Sequence, residues 1–66
     1  MTVIVNGQRW ELTDGATLAD VLGRLGAPSA GVAVALNGAV VPRASWTATS
    51  LHSDAQIDVF TAVQGG

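Results

Sequence analysis

The group with the clearest capacity for chemistry is the carboxylate of Gly66, which follows Gly65 at the end of the 66-residue sequence. Both glycines come shortly after a predicted strand. A glycine pair at a terminus is most simply a frayed end. Because glycine has no Cβ, the same pair can instead pass through a narrow channel and present its carboxylate to an enzyme. From these residues alone, a frayed end and a reactive tail are both open.

Few side chains offer an alternative reactive group. The sequence has no cysteine, lysine or tyrosine and one histidine, which excludes disulfides, thiolate metal sites, cysteine nucleophiles and side-chain Schiff bases. His52, Asp54 and Asp58 are close in sequence, but their spacing is not diagnostic of a metal site. We predict no metal site and no bound cofactor. Since acid and base groups are not clustered, we also expect that the protein is not an enzyme.

Charge and hydropathy limit the class of partner. Three arginines against five acidic residues give a net charge of −2, which argues against nucleic acid and anionic membranes. The start of the sequence lacks the features of a signal peptide, and no apolar run is long enough to span a membrane. We therefore interpret the chain as cytoplasmic.

Two Asn-Gly pairs organise the predicted strands. Asn6-Gly7 predicts a type I′ turn in a hairpin over residues 1–12. Asn37-Gly38 predicts a second turn, between a strand at 32–37 and a short strand at 39–41. A final strand is predicted from residue 56 to residue 62 or 63.

One helix is predicted between the first hairpin and the later strands. It begins at Thr17, the N-cap, with Asp20 in the capping-box position. Residues 43–55 are polar and predicted to be irregular, with Trp46 and Leu51 as anchors. The apolar residues of the helix fall on one stripe: Leu18, Val21, Leu22 and Leu25.

The order ββαβββ predicts an α+β fold of the ubiquitin-like β-grasp type. In this fold one helix packs across a mixed sheet of four to five strands, and the helix supplies the crossover that a parallel strand pair requires. We expect residues 1–66 to form a single domain with a flexible tail at 64–66. A chain this short buries only about 60% of its unfolded surface, which leaves little room for a deep pocket.

A second candidate site is an apolar patch on the sheet face away from the helix. If the first and last strands pair in parallel, Ile4 should lie near Phe60 on this face. Ala33 and Ala35 belong to the same face. A contiguous exposed apolar patch often marks a partner site, whereas scattered apolar side chains are normal on a surface. Both interpretations remain open.

Several segments of the sequence combine into a recognisable pattern. They are Val5-Asn6-Gly7, Ala16-Thr17-Leu18, the run over residues 32–43 with Trp46 after it, and the ending Ala62-Val63-Gln64-Gly65-Gly66. Over essentially its whole length, the chain resembles the ThiS family, the sulfur carrier proteins of bacterial thiamin thiazole biosynthesis.

One departure from the family's pattern precedes the final strand. Proteins similar to this chain usually carry a Gly-Asp turn there, where this sequence has Asp54-Ala55. Because aspartate tolerates turn conformations, we expect an altered loop and an intact fold.

The resemblance implies a role for the last residues. A ThiF-type adenylating enzyme would use ATP and magnesium to activate Gly66, next to Gly65. A persulfide sulfur donor would convert Gly66 to a thiocarboxylate, and a ThiG-type thiazole synthase would take up the sulfur. Partner contacts are expected at Ile4, Phe60, Val63 and Gln64. The chain would act as a carrier and co-substrate, without nucleic acid or membrane partners.

Three other functions remain open. The small subunit of molybdopterin synthase is a β-grasp relative that also ends in Gly-Gly and carries sulfur, although such chains are typically longer. A ubiquitin-like modifier would be conjugated to lysines of other proteins. A plain interaction module would have no use for its terminal glycines.

Overall fold

The computed structural model describes residues 1–26 and 31–61. Their elements follow the predicted order ββαβββ, with one short helix added before the last strand. The strands are β1 (Thr2–Val5), β2 (Gln8–Glu11), β3 (Val32–Leu36), β4 (Ala39–Val41) and β5 (Gln56–Thr61), and the α-helix is α1 (Leu18–Leu25).

The strands form one mixed sheet in the order β2-β1-β5-β3-β4. The strand β5 therefore lies at the centre, although it follows the other four in sequence. It pairs in parallel with β1 and antiparallel with β3. The two outer strands belong to antiparallel hairpins, β1 with β2 and β3 with β4. This arrangement is the β-grasp layout expected from the sequence.

Both predicted Asn-Gly turns are present. Asn6 and Asn37 have φ of 49° and 51°, and the glycines that follow have φ of 82° and 87°. Positive φ at both central residues is the requirement of a type I′ turn. The first turn sets the predicted pairing of β1 with β2, from Val5 opposite Gln8 to Thr2 opposite Glu11.

The core lies between α1 and one face of the sheet. Its fully buried residues alternate along the strands and repeat along the helix, as the hydrophobic pattern predicts. The stripe on α1 is buried as far as Leu22, whereas Leu25 is 39% exposed. Burial therefore ends before this last residue of the helix. The most deeply buried side chains are Val3, Val5, Leu18, Val21, Val34 and Ile57.

The segment before β5 is more regular than expected. A 3₁₀ helix occupies Arg43–Ala48, where the sequence predicted irregular structure. Trp46 and Leu51 are buried as predicted. The indole Nε1–H of Trp46 donates a hydrogen bond of 2.9 Å to the backbone oxygen of Val41, which ties the 3₁₀ helix to the end of β4.

Strand limits differ slightly from the prediction. β3 ends at Leu36 and not at residue 37, because Asn37 adopts positive φ and begins the turn. β5 is described to Thr61, and its predicted continuation to residue 62 or 63 lies outside the described residues. So do the segment 27–30 and the predicted tail 64–66.

Candidate functional site

The candidate reactive terminus follows the central strand of the sheet. β3 pairs with β5 from Leu36 opposite Ile57 to Val32 opposite Thr61. β1 pairs with only the first part of β5, through Ile4 opposite Gln56 and Val5 opposite Ile57. The sheet therefore holds the last described residues of β5 mainly from the β3 side. The predicted site residues Val63, Gln64, Gly65 and Gly66 come after these and lie outside the described residues.

An apolar patch is present on the sheet face opposite α1. Phe60 is 58% exposed and Val40 is 75% exposed. Phe60 lies opposite Ala33, and Val40 lies opposite Ala35. Diagonal neighbours in an antiparallel sheet are about 7–8 Å apart, which is within reach of an aromatic side chain. We define the outer patch as Phe60, Ala33, Ala35 and Val40, of which Ala35 is itself buried.

The outward orientation of Phe60 is confirmed, but the prediction that Ile4 lies near Phe60 is wrong. The two strands pair in parallel as predicted, yet Ile4 lies opposite Gln56. Phe60 is four residues further along β5, which at the rise of a strand is about 13 Å. Ile4 is half-buried on the same face, outside the outer patch.

Val40 is a member of the outer patch that the sequence reasoning missed. The signal was present in the Asn37-Gly38 turn. A two-residue turn places Leu36 opposite Ala39 and Ala35 opposite Val40, which is the register observed. The same two-residue turn that sets the register of the first hairpin thus puts Val40 on the same face as Ala35.

Two charged groups lie on the same face as the outer patch, one beside it on β5 and one further away on β2. Asp58 on β5 is half-buried and lies opposite Ala35 on β3. Arg9 lies opposite Ile4 on β2 and is exposed. The face thus changes from apolar at β3 and β4 to more polar at β1 and β2, where Ile4 is flanked by Arg9 and Gln56. Such an arrangement gives a docking surface an apolar centre with a polar margin on one side.

The loop before β5 is joined to β1 by backbone hydrogen bonds. Asp54 has a φ of 66°, and its N–H donates to the backbone oxygen of Thr2 at 2.7 Å. The N–H of Ile4 donates to the backbone oxygen of Ala55 at 2.8 Å. Ala55 is buried in the core. The departure Asp54-Ala55 therefore fits into the fold and does not disturb the pairing of β5.

The described residues show no built site for a metal ion. His52 and Asp54 are exposed and Asp58 is half-buried, and no group of three histidine or carboxylate side chains in residues 1–26 and 31–61 could hold an ion. These same residues form no pocket. No helix in this part of the chain is long and apolar enough to cross a membrane.

Comparison with known proteins gives consistent matches over the whole chain. The family described as "ThiS family" matches residues 3–66. The sulfur carrier protein ThiS of Escherichia coli (strain K12) is 32% identical over 66 residues, which are all of both chains.

Solved structures agree with this match. The crystal structure of the thiamine biosynthesis protein ThiS from Geobacter metallireducens is similar with a TM-score of 0.83 and 26% identity, over 100% of both chains. A solution structure of a thiamine biosynthesis protein from the same organism has a TM-score of 0.78 and 26% identity, over 100% of this chain and 88% of the other. The ubiquitin-like β-grasp fold is therefore confirmed.

Proposed function

The chain belongs to the ThiS family of sulfur carrier proteins, and we propose from this premise that it carries sulfur for thiamin biosynthesis as a thiocarboxylate on Gly66. The observation that carries the proposal is the extent of the family match, which runs to residue 66 and includes both terminal glycines. The position of β5 adds support. The central strand of the sheet, β5, leads into the short segment that ends in the proposed reactive group.

The chemistry follows from the poor reactivity of a carboxylate. An adenylating enzyme of the ThiF type, using ATP and magnesium, joins the Gly66 carboxylate to AMP and releases pyrophosphate. The terminal sulfur of a persulfide attacks the acyl carbon and displaces AMP, forming an acyl disulfide. A thiol then reduces the sulfur–sulfur bond, which leaves the thiocarboxylate on Gly66 and an oxidised disulfide. A ThiG-type thiazole synthase takes up the sulfur. The chain itself supplies no catalytic side chain, and we propose the cytoplasm as its compartment.

Glycines at 65 and 66 suit this role for a steric reason. A glycine residue lacks Cβ and permits backbone conformations that other residues avoid, so the tail can lie in a narrow channel of the adenylating enzyme. The absence of cysteine from the sequence leaves no thiol on the carrier to attack its own activated terminus.

The first prediction concerns loading at Gly66. When the protein is incubated with a ThiF-type enzyme, ATP, magnesium and a persulfide donor, its intact mass should rise by the exchange of one oxygen for one sulfur. Deletion of Gly66 should abolish the exchange, with a far-ultraviolet circular dichroism spectrum equal to that of the unmodified protein. A mass unchanged under conditions that load an authentic carrier would contradict the proposal. A covalent bond to lysines of another protein would favour the ubiquitin-like modifier.

We further propose that the outer patch is the docking face for these enzymes. Phe60 is exposed on β5, the strand that leads into the tail, and Val40 is exposed on β4, two strands away, so an enzyme that covers them is close to the end of β5. Val63 and Gln64 are proposed to contact the same partner between the patch and Gly66. Ile4 lies outside the patch, and its contribution is proposed as a separate contact on the β1 side of the face.

The second prediction tests this docking face. Phe60→Ala should weaken binding to the adenylating enzyme about tenfold, because exposed aromatic residues often dominate interface energies. The free energy of unfolding should change by less than about 1 kcal/mol, since Phe60 is largely exposed. Binding is measured by titration calorimetry and stability by urea denaturation.

Leu25→Ala is the matched control, because Leu25 is an exposed apolar residue on α1 and not on the sheet. It should leave binding unchanged. Equal loss of binding in both variants would show that the outer patch has no special role. Unfolding of Phe60→Ala would place Phe60 in the core. Ile4→Ala then reports whether the interface extends to β1.

A further inference from the structure

Two asparagine side chains act on the backbone of β5, one from each side. The Oδ1 atom of Asn6 accepts a hydrogen bond of 2.8 Å from the N–H of Val59. The Oδ1 atom of Asn37 accepts one of 3.0 Å from the N–H of Gln56. Both residues are the first central residue of a type I′ turn and have nearly the same φ. They are chemically matched, but they hold different ends of the strand.

Asn6 extends the β1 side of the ladder beyond the end of β1. Val5 is the last residue of β1, and it lies opposite Ile57. The backbone N–H of Asn6 donates to the oxygen of Ile57 at 2.9 Å. The main chain then turns away into Gly7, while the side chain continues alongside β5 and accepts from Val59. Asparagine combines tolerance of positive φ with a side-chain acceptor of the required length.

Without this acceptor, the end of β5 would be held from one side. Val59, Phe60 and Thr61 pair with β3, whereas β1 offers no residue beyond Val5 on the other side. Among the described residues, the hydrogen bond from the N–H of Val59 to Asn6 is the last one along β5 that joins it to the first hairpin. Asn37 binds at Gln56, the first residue of β5, and is therefore remote from the departure of the tail.

We infer that Asn6 is a positioning residue for sulfur loading, which fixes the direction in which β5 delivers the terminus relative to the outer patch. The inference rests on the proposed function. An adenylating enzyme that docks on Phe60 and Val40 receives Gly66 productively only if the strand between patch and tail has one orientation. A mutation far from the reacting atoms that misplaces a reacting group by about 1 Å can lower the rate about a hundredfold.

The test compares Asn6→Gly with Asn37→Gly. Glycine keeps the positive φ of each turn and removes one hydrogen bond to β5, so both variants should lose similar stability to urea. Steady-state loading is measured with a ThiF-type enzyme, ATP and a persulfide donor. Asn6→Gly should lower kcat about tenfold with KM within about twofold, because docking is intact and only the terminus is misplaced. Asn37→Gly should load like the unmodified protein.

Two more variants make the outcome decisive. Asn6→Asp retains an acceptor and tolerates positive φ, so it should restore kcat. Asn6→Ser, whose side chain is too short to reach Val59, serves if Asn6→Gly does not fold, and should show the same loss. In Asn6→Gly or Asn6→Ser, the amide hydrogen of Val59 should exchange faster than it does in Asn37→Gly.

Equal kcat for Asn6→Gly and Asn37→Gly would overturn the proposal that Asn6 is the positioning residue. So would a failure of Asn6→Asp to restore kcat. If the unmodified protein is not loaded, the proposed function fails first, and the assignment fails with it. The two failures are thus distinguished by the unmodified protein.

Discussion

At the scale of single residues, three non-glycine positions within residues 1–26 and 31–61 adopt the left-handed region. They are Asn6, Asn37 and Asp54, with φ of 49°, 51° and 66°. Asparagine and aspartate occupy this region more readily than other non-glycine residues, because their short polar side chains form local hydrogen bonds. Each of the three lies next to or within two residues of a strand. Asn6 and Asn37 bond to β5, and Asp54 bonds to β1. Their conformations are therefore part of how the central strand is held.

A third prediction follows for Asp54. Asp54→Val should lower the free energy of unfolding by about 1–2 kcal/mol, because a β-branched residue is strained at positive φ. Asp54→Gly, which restores the glycine expected from the family's pattern, should change it by less than about 1 kcal/mol, since relief of strain and the entropy of glycine oppose each other. Urea denaturation measures both. A neutral valine variant would show that the backbone at residue 54 has another accessible conformation.

At the scale of elements, α1 shows how a short helix is stabilised at both ends. The N–H of Thr17 donates to Asp20 Oδ2 at 2.8 Å, and the N–H of Asp20 donates to Thr17 Oγ1 at 3.3 Å, which completes the capping box. Gly26 ends the helix with a φ of 74°. An isolated helix of eight residues is unstable in water, so caps and packing on the sheet together sustain it.

The fourth prediction is that two substitutions in this helix change the free energy of unfolding in opposite directions. Gly23→Ala should raise the free energy of unfolding by about 1 kcal/mol, because Gly23 is inside the helix and a Cβ there meets no atom within 4 Å. Thr17→Ala should lower it by about 1 kcal/mol through loss of the cap. Thermal and urea denaturation of both variants provide the check. The same sign for both changes would be inconsistent with this account of the helix.

The register of strands joined by tight turns was predictable from the sequence, whereas the register of distant strands was not. The Asn-Gly turns fix the register of both hairpins locally. The parallel pairing of β1 with β5 has no such turn, and alternation has a period of two. It puts Ile4 on the same face as Gln56, Asp58 and Phe60, but it does not choose among these three as its neighbour. The observed choice of Gln56 depends on the loop before β5.

The 3₁₀ helix at Arg43–Ala48 was not predictable for a different reason. A single 3₁₀ segment has little hydrophobic periodicity, so the sequence contained only the burial signal of Trp46. That signal was sufficient to predict an anchor and insufficient to predict the backbone around it. Similarly, the helical stripe gave no indication that burial would stop before Leu25.

At the scale of the whole molecule, the two faces of the sheet differ in how far their side chains are buried. One face packs on α1 and contains the fully buried residues, while the other exposes Phe60 and Val40. A domain of this length has a stability of roughly 3–10 kcal/mol. Substitutions of exposed side chains on the outer face should thus have little effect on folding, whereas loss of one large core side chain removes a major part of the stability.

The central position of β5 also determines when the protein can fold during its synthesis. The ribosome makes this strand after the other four, and the hairpins on either side of it cannot join until it has emerged. Each hairpin alone is a two-stranded ribbon of marginal stability in water. A chain whose translation stops before Gln56 consequently lacks the strand that unites the sheet, and stays open to proteases. Every folded molecule is therefore one whose synthesis has passed β5 and is near the C-terminal glycines.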